Sequence, residues 1–241
     1  MHKVIIQYVR HTVQIIILAL LVAGLYTSVV RPQTLWIFGL AFLAGNYFCG
    51  WICPFGTAQE ICGKIGSLFI KNKFKMPPGI QRYAQFSRYL VMLAVLLLAA
   101  QGVSGSMPFD AYRAFMGAAG GRTVQAVALA IMGGFLLISL FFERPYCNYA
   151  CTEGIRFCLA SLTRLVTIRR DPKSCVNCRR CNQVCPMNIK VAESENLRNP
   201  QCINCFQCVA ACPVSTALTY GRTDLIRSRR PVTVSGEQLT K

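Results

Sequence analysis

The run CVNCRRCNQVCP, residues 175–186, is followed 27 residues after its start by CINCFQCVAACP, residues 202–213. Both runs have the spacing C-x2-C-x2-C-x3-C-P. Three cysteines separated by two residues wrap a loop around one side of a four-iron cubane cluster. Zinc sites more often use two separated C-x2-C pairs. The doubled run therefore predicts two [4Fe-4S] clusters rather than a zinc ribbon or a disulfide knot.

The fourth cysteine of each run is expected to cross to the other cluster. In two-cluster bacterial ferredoxins it ligates the neighbouring cluster, and a proline follows it. By this rule the first cluster site is Cys175, Cys178, Cys181 and Cys212, and the second cluster site is Cys202, Cys205, Cys208 and Cys185. We expect a small α+β ferredoxin domain at residues 169–221. A domain of this size has a marginal core, so the clusters are expected to stabilise it.

The chain before this domain is apolar. Hydrophobic residues make up 54% of the whole chain and charged residues only 15%, and the mean hydropathy is +0.41. Four stretches are long and apolar enough to cross a bilayer, which takes roughly 18 or more apolar residues. We predict a mostly α membrane domain over residues 1–168, with four transmembrane helices arranged as two repeated hairpins, near residues 12–30, 34–53, 89–107 and 123–143.

The lysines and arginines predict the orientation of these helices. With the N-terminus inside, 11 flanking cations lie inside and 3 outside. Positive residues favour the cytoplasmic side, so we expect a multi-pass protein of the cytoplasmic membrane with both termini in the cytoplasm. The net charge of +17 follows membrane ends rather than one aromatic-rich face, which argues against nucleic acid. The basic tail, residues 222–241, is expected to contact lipid head groups or an acidic redox partner.

Two further cysteine pairs lie at the ends of apolar stretches. Cys49 and Cys53 belong to YFCGWICPFGTAQEIC, residues 47–62, and Cys147 and Cys151 belong to PYCNYACTEGIRFC, residues 145–158. Residues four apart share one face of a helix. If the hairpins pack symmetrically, these four thiols converge and suit another iron–sulfur cluster or a soft metal such as Cu(I). The alternative is that they are packing residues, since cysteine behaves as a small hydrophobe.

Other polar residues give weaker indications. Cys62 and Cys158 follow the two pairs at roughly matching positions. The only histidines are His2 and His11, so a bis-histidine haem within the membrane is not expected. Asp110, Tyr112 and Arg113 are predicted in an outer loop. There they cap an interfacial turn or border a quinone site.

Three motifs together resemble a known family. CGWICPFGTAQE, RPYCNYACTEG and the doubled cysteine run resemble the NapH/NosR/CcoG group of membrane polyferredoxins, and the resemblance extends to about Tyr220. The family pattern has proline after both pairs, whereas here Pro54 follows the first pair and Thr152 the second. The short stretch before the first predicted helix makes the NapH type the closest in layout.

The resemblance implies an electron carrier. It would pass single electrons between the quinol pool, or another membrane donor, and a partner oxidoreductase. Its partners would be membrane lipid, a redox protein and quinone. Two alternatives stay open at this point. One is a copper reductase or assembly factor that uses the paired thiols, and the other is a redox sensor.

Overall fold

The computed structural model describes residues 2–30, 33–69, 74–100 and 110–222. The tail predicted to contact lipid or an acidic partner lies outside these residues from position 223 onward. The fold is mostly helical, with one small α+β unit. The helices are α1 (His2–Val22), α2 (Tyr26–Val30), α3 (Thr34–Ala44), α4 (Pro54–Phe69), α5 (Pro78–Ala84), α6 (Ser87–Ala100), α7 (Ala111–Ala119), α8 (Ala126–Ile138), α9 (Pro145–Tyr149), α10 (Thr152–Ala160), α11 (Arg180–Gln183) and α12 (Gln207–Ala211).

The first predicted helix, 12–30, had the wrong bounds. Helix α1 begins at His2 and ends at Val22, and Gly24, at φ 73°, separates it from α2. Its start was missed because Gln7 and Arg10 look like the polar flank of a membrane helix. Together with Gln14 they instead lie on one helical face, since they are three and four residues apart. Arg10 and Gln14 are buried, whereas Ile5 on the other side is 50% exposed.

The second predicted helix, 34–53, is broken. Helix α3 ends at Ala44, and Gly45 follows in a left-handed conformation, φ 89°, that glycine adopts without strain. A π-helical turn at Phe48–Ile52 comes next, and α4 starts at Pro54. Proline is well suited to the first position of a helix because it has no N–H to leave unpaired. The first cysteine pair therefore lies in a turn between two helices and not on a continuous helix.

The third and fourth predicted helices are only partly matched. Helix α6 covers the start of the predicted 89–107, and residues 101–107 lie outside the described residues. Helix α8 has 13 residues, which at 1.5 Å per residue reach about 20 Å, less than the roughly 30 Å of a hydrocarbon core. Within the described ranges, one helix is long and apolar enough to cross a membrane, at Val4–Val22. Four transmembrane helices are thus not confirmed.

The residues predicted in an outer loop, Asp110, Tyr112 and Arg113, form the start of helix α7. Asp110 does cap a helix, because its carboxylate accepts hydrogen bonds from the N–H groups of Tyr112 and Arg113 at 3.0 and 3.3 Å. The same carboxylate accepts a hydrogen bond from the Tyr146 hydroxyl at 2.8 Å. Tyr146 adjoins Cys147, and Ala111 is fully buried. The start of α7 therefore lies beside the second cysteine pair and not at a distant loop.

A two-stranded sheet closes the α+β unit. Strand β1 (Val166–Arg170) pairs antiparallel with β2 (Leu218–Arg222), in a register from Val166 opposite Arg222 to Arg170 opposite Leu218. The doubled cysteine run, with α11 and α12, lies between these strands. Its core combines the buried cysteines of the two runs with buried aliphatic side chains, namely Ile168, Ile189, Val191, Leu197, Ile203, Val209 and Leu218.

Candidate functional site

The second cluster site surrounds one cavity. Cys185, Cys202, Cys205 and Cys208 all line it. Burial raises the pKa of the Cys208 thiol, and its cysteine neighbours raise it further. Burial likewise raises the pKa of Cys185 to about 12. Four crowded, buried thiols become thiolates together only if a cationic centre compensates their charge, so this donor set fits a four-iron cluster.

The first cluster site surrounds a separate cavity, which is lined by Cys175, Cys178, Cys181 and Cys212. Each cysteine run thus gives three residues to one cavity and its fourth to the other. This is the exchange expected of a two-cluster ferredoxin. The two cavities differ in their surroundings. Cys178 is exposed, whereas all four cysteines of the second site are buried. Ligation by these eight residues stays a prediction.

The paired thiols lie in two turns of matching geometry. Cys49 is in the π-helical turn and Cys53 immediately precedes α4, while Cys147 is in α9 and Cys151 immediately precedes α10. In each turn the N–H of the second cysteine donates to a carbonyl five residues earlier. Cys53 donates to Phe48 at 2.8 Å and Cys151 to Tyr146 at 3.0 Å. The predicted sharing of one helix face is wrong, but the repeat is present in the backbone.

Both second cysteines are acceptors at a helix N-terminus. Cys53 Sγ accepts a hydrogen bond from Gly56 N at 3.4 Å, and Cys151 Sγ accepts one from Gly154 N at 3.2 Å. The N-terminal end of a helix favours negative charge and therefore suits a thiolate ligand. Thr152 takes the first helical position that Pro54 occupies in the other turn, so loss of the proline leaves the geometry intact.

The four thiols are within electrostatic range of one another, and we call them the paired-thiol site. Cys151 interacts electrostatically with Cys147, Cys49 and Cys53. Gln59 Nε2 donates to Cys147 Sγ at 3.4 Å. In the described part of the chain, no three His, Cys, Asp or Glu side chains lie close enough to hold a single metal ion. A four-iron cluster needs a wider arrangement, with one thiolate at each corner of a larger core.

The two remaining cysteines differ from each other. Cys158 is buried, and Arg88 Nη2 lies 3.3 Å from its sulfur. Cys62 is partly exposed, on α4. Their matching sequence positions therefore do not give them matching environments.

The paired-thiol turns contact the second cluster site directly. Trp51 Nε1 donates to the Asn204 carbonyl at 2.9 Å. Asn148, at the position in the second turn that Gly50 has in the first, donates through Nδ2 to the Pro186 carbonyl at 3.0 Å. Pro186 follows Cys185, and Asn204 lies between Cys202 and Cys205. Each thiol turn therefore contacts a different segment of the second cluster site.

A buried ion-pair network joins the same two sites. Arg144 donates to the Cys49 carbonyl at 2.8 Å and to Glu60 Oε2 at 2.6 Å. Arg10 contacts Glu60 Oε1 and donates to the Cys205 carbonyl at 2.9 Å. Burial alone would raise the pKa of Glu60, but Arg144 and Arg10 hold it at about 2. An unbroken chain of charge-assisted hydrogen bonds thus runs from Cys49 to Cys205.

This network was not predicted from the sequence. Arg10 and Arg144 were counted only as cytoplasmic flank charges, and Glu60 was given no role. One signal was available, because Glu60 is the only acidic residue before Asp110 in a strongly cationic chain. A lone carboxylate in such a chain indicates a specific cationic partner.

Comparison with known proteins agrees with these sites. A family described as a 4Fe-4S binding domain matches residues 33–77 and 124–161, and one described as a 4Fe-4S dicluster domain matches residues 167–213. The chain is 27% identical to YccM of Escherichia coli, which is named as a candidate electron transport protein, over 83% of this chain and 58% of that one. It is 24% identical to the regulatory protein NosR of Pseudomonas aeruginosa, over 63% of this chain and 22% of NosR. These matches support the NapH/NosR-type polyferredoxin family.

The polyferredoxin has a relative in an archaeon as well. It is 29% identical to an uncharacterized protein of Methanocaldococcus jannaschii, over 73% of this chain and 71% of that protein. No solved structure matches it. The predictions of 4Fe-4S binding and of family membership are confirmed. The polyferredoxin is an iron–sulfur electron transport protein.

Proposed function

We propose that this polyferredoxin passes single electrons from quinol, or another membrane donor, to a partner oxidoreductase. The observation that carries the proposal is the direct contact between the paired-thiol turns and the second cluster site. Trp51 and Asn148 bind backbone carbonyls of that site at 2.9 and 3.0 Å. A domain that served only as a membrane anchor would not need to pack its cysteine turns against a cluster loop.

The cysteine sets divide the cofactors among three sites. The first and second cluster sites would each hold one [4Fe-4S] cluster. The family match across both cysteine pairs supports a further cluster, rather than copper, at the paired-thiol site. When bound, such a cluster takes up and gives up one electron at a time. Oxidation of a quinol to a quinone releases two electrons and two protons, so a one-electron carrier must be reduced twice for each quinol.

The environments of the sites support an order of transfer. The second cluster site is buried against the paired-thiol turns, whereas the first reaches the surface at Cys178. A donor in the membrane would therefore give electrons to the paired-thiol site, and a partner would take electrons from the first cluster site. The chain's own contribution is to hold these sites in contact. The Arg144–Glu60–Arg10 network contributes to this, because it contacts both Cys49 and Cys205.

The helix surfaces support a position in the membrane. Tyr8 and Val22 of α1, Leu35 and Trp36 of α3, and Leu137 of α8 are all 65–83% exposed. An apolar surface of this extent is unusual for a soluble monomer, and lipid would cover it. We propose a multi-pass arrangement with both termini in the cytoplasm, as the distribution of lysine and arginine indicates.

A double substitution tests the proposal. In anaerobic membranes, Cys49→Ser with Cys53→Ser should abolish reduction by a quinol analogue while both ferredoxin clusters keep their EPR signals. Cys62→Ser is the matched control, because Cys62 is partly exposed, and it should behave as wild type. Wild-type reduction in the double variant would reject the proposed route. Copper that is bound by the wild type and lost with activity would assign the paired-thiol site to metal reduction.

A redox sensor is the second candidate function. It is supported by the name of one relative, the regulatory protein NosR of Pseudomonas aeruginosa. A sensor would be reduced by the quinol analogue but would not pass electrons on to any acceptor. Multiple-turnover measurements with an excess of acceptor therefore distinguish it from a carrier.

A further inference from the structure

The two cluster loops have the same backbone. In the first, Asn177 and Arg179 adopt positive φ angles of 52° and 53°, and in the second Asn204 and Phe206 adopt 48° and 57°. The short helices α11 and α12 then begin at Arg180 and Gln207. The α+β unit thus presents two equivalent loop faces that differ only in their side chains.

The face of the second loop is covered by other segments of the chain. Ile203 is 4% exposed, Asn204 0% and Phe206 7%. The carbonyls of Asn204 and Cys205 accept hydrogen bonds from Trp51, Gln7 and Arg10. The loop is therefore covered by α1 and the first paired-thiol turn. A loop of this conformation is evidently suited to receiving another protein segment at its cluster site.

The equivalent face of the first loop is exposed. Val176, the counterpart of Ile203, is 65% exposed, and Asn177, Cys178, Arg179 and Arg180 are exposed too. The apolar Phe206 and neutral Gln207 of the second loop are here replaced by Arg179 and Arg180. Lys173 is a third exposed cation. The nearby carboxylate, Asp171, accepts hydrogen bonds from Ser174 and from the Lys173 N–H. The face accordingly presents three exposed cations, Lys173, Arg179 and Arg180, around a small apolar centre.

We infer that the first-loop face, comprising residues 173–180, docks an acidic face of the one-electron redox protein that receives electrons from this polyferredoxin. The inference rests on the proposed function and names its exit surface. Charge complementarity selects the partner, because cations around a redox site speed encounter with an acidic surface and slow encounter with a basic one. The exposed Val176 supplies the apolar centre that a docked partner would cover.

Charge reversal at Arg179 and Arg180 tests whether the first-loop face docks an acidic partner. Arg179→Glu with Arg180→Glu is compared with Arg122→Glu and Arg156→Glu, which make the same charge change at exposed arginines outside the α+β unit. The full chain is reduced in detergent and mixed with cytochrome b5, an acidic probe, or cytochrome c, a basic one. Reversal at 179 and 180 should slow reduction of cytochrome b5 about tenfold at low salt, remove most of its salt dependence and speed reduction of cytochrome c. The control pair should change neither rate more than about twofold.

Three further readouts separate the outcomes. Ferricyanide should oxidise every variant, and failure of the wild type to reduce any acceptor would reject the carrier function itself. Unchanged cytochrome b5 rates, with ferricyanide oxidation intact, would reject the docking face alone. A shifted cluster potential with unchanged cytochrome b5 kinetics would assign the arginines to the cluster. Lost binding to anionic vesicles with unchanged cytochrome b5 kinetics would assign them to lipid. Either result overturns the inference.

Discussion

A Cβ atom on Gly50 would lie 2.2 Å from the carbonyl oxygen of Ile203. Gly50 sits between Cys49 and Cys53, and Ile203 sits between Cys202 and Cys205. The backbone of the first paired-thiol turn is thus in direct contact with the backbone of the second cluster loop. No residue but glycine fits at position 50 without moving one of them.

Gly50→Ala should separate these two backbones. Because the obstacle is backbone rather than a flexible side chain, we expect a loss of about 1–3 kcal/mol in unfolding free energy and slower reduction of the ferredoxin clusters by quinol. Stopped-flow reduction and chemical denaturation measure the two effects. Gly133→Ala in α8 is the control, since its Cβ would meet nothing within 4 Å. If the two alanine variants behave alike, the contact does not matter for transfer.

Glu60→Gln should leave Arg10 and Arg144 buried without a counter-charge. Both guanidiniums are 0–1% exposed, and breaking a buried ion pair from one side costs about 3–5 kcal/mol. Denaturant unfolding of the full chain should report this loss. Glu193→Gln, which breaks an exposed pair with Lys190, should leave unfolding unchanged. Equal effects of the two substitutions would contradict the structural role of Glu60.

Acid should weaken the Glu60 network over a defined range. The pKa of Glu60 falls from its ordinary value of 4.5 to about 2 in the folded chain. A depressed folded-state pKa stabilises the protein above the unfolded value, and this contribution disappears as pH falls from about 4.5 to about 2. The fluorescence of Trp51, which binds the second cluster loop, is the probe. Glu60→Gln should lack this component of the acid transition, and an identical transition in both proteins would argue against it.

The number of irons per chain should show how many of the three sites hold a cluster. We expect about eight irons for the first and second cluster sites, and about twelve if the paired-thiol site also holds a cluster. Cys49→Ser with Cys53→Ser should then lower the content by about four. Anaerobic purification followed by iron and sulfide analysis provides the measurement. Zinc in place of iron, or only four irons after full reconstitution, would refute the assignment of two ferredoxin clusters.

Reporter fusions should define the sidedness. A fusion after Arg170 should read as cytoplasmic. Because α7 starts beside Tyr146 and leads away from it, the turn that includes Gly121, and not Asp110, should be the external point. An alkaline phosphatase fusion at Gly121 and a fluorescent protein after Arg170 test both positions. An external reading after Arg170 would overturn the orientation.

Local patterns predicted the cluster sites but not their surroundings. The three cysteines of each run lie within seven residues, so chain geometry alone largely decides how they gather, and the fourth follows a rule of the fold. The break between α3 and α4 depends instead on Gly45, whose adjoining carbonyl at Ala44 is bound by Asn204 at 2.7 Å. Asn204 and Ala44 are 160 residues apart in the sequence, so a hydropathy pattern does not predict their contact. Charge counting likewise assigned Arg10 to a membrane flank, because its partners Glu60 and Cys205 are distant in sequence.

The bond from Arg10 to the Cys205 carbonyl also sets an order of events during synthesis. The two residues are 195 positions apart, and a ribosome adding 5–20 residues per second needs roughly 10–40 s to cover that distance. Helix α1 and its partner Glu60 are therefore synthesised before the Cys205 carbonyl that Gln7 and Arg10 bind.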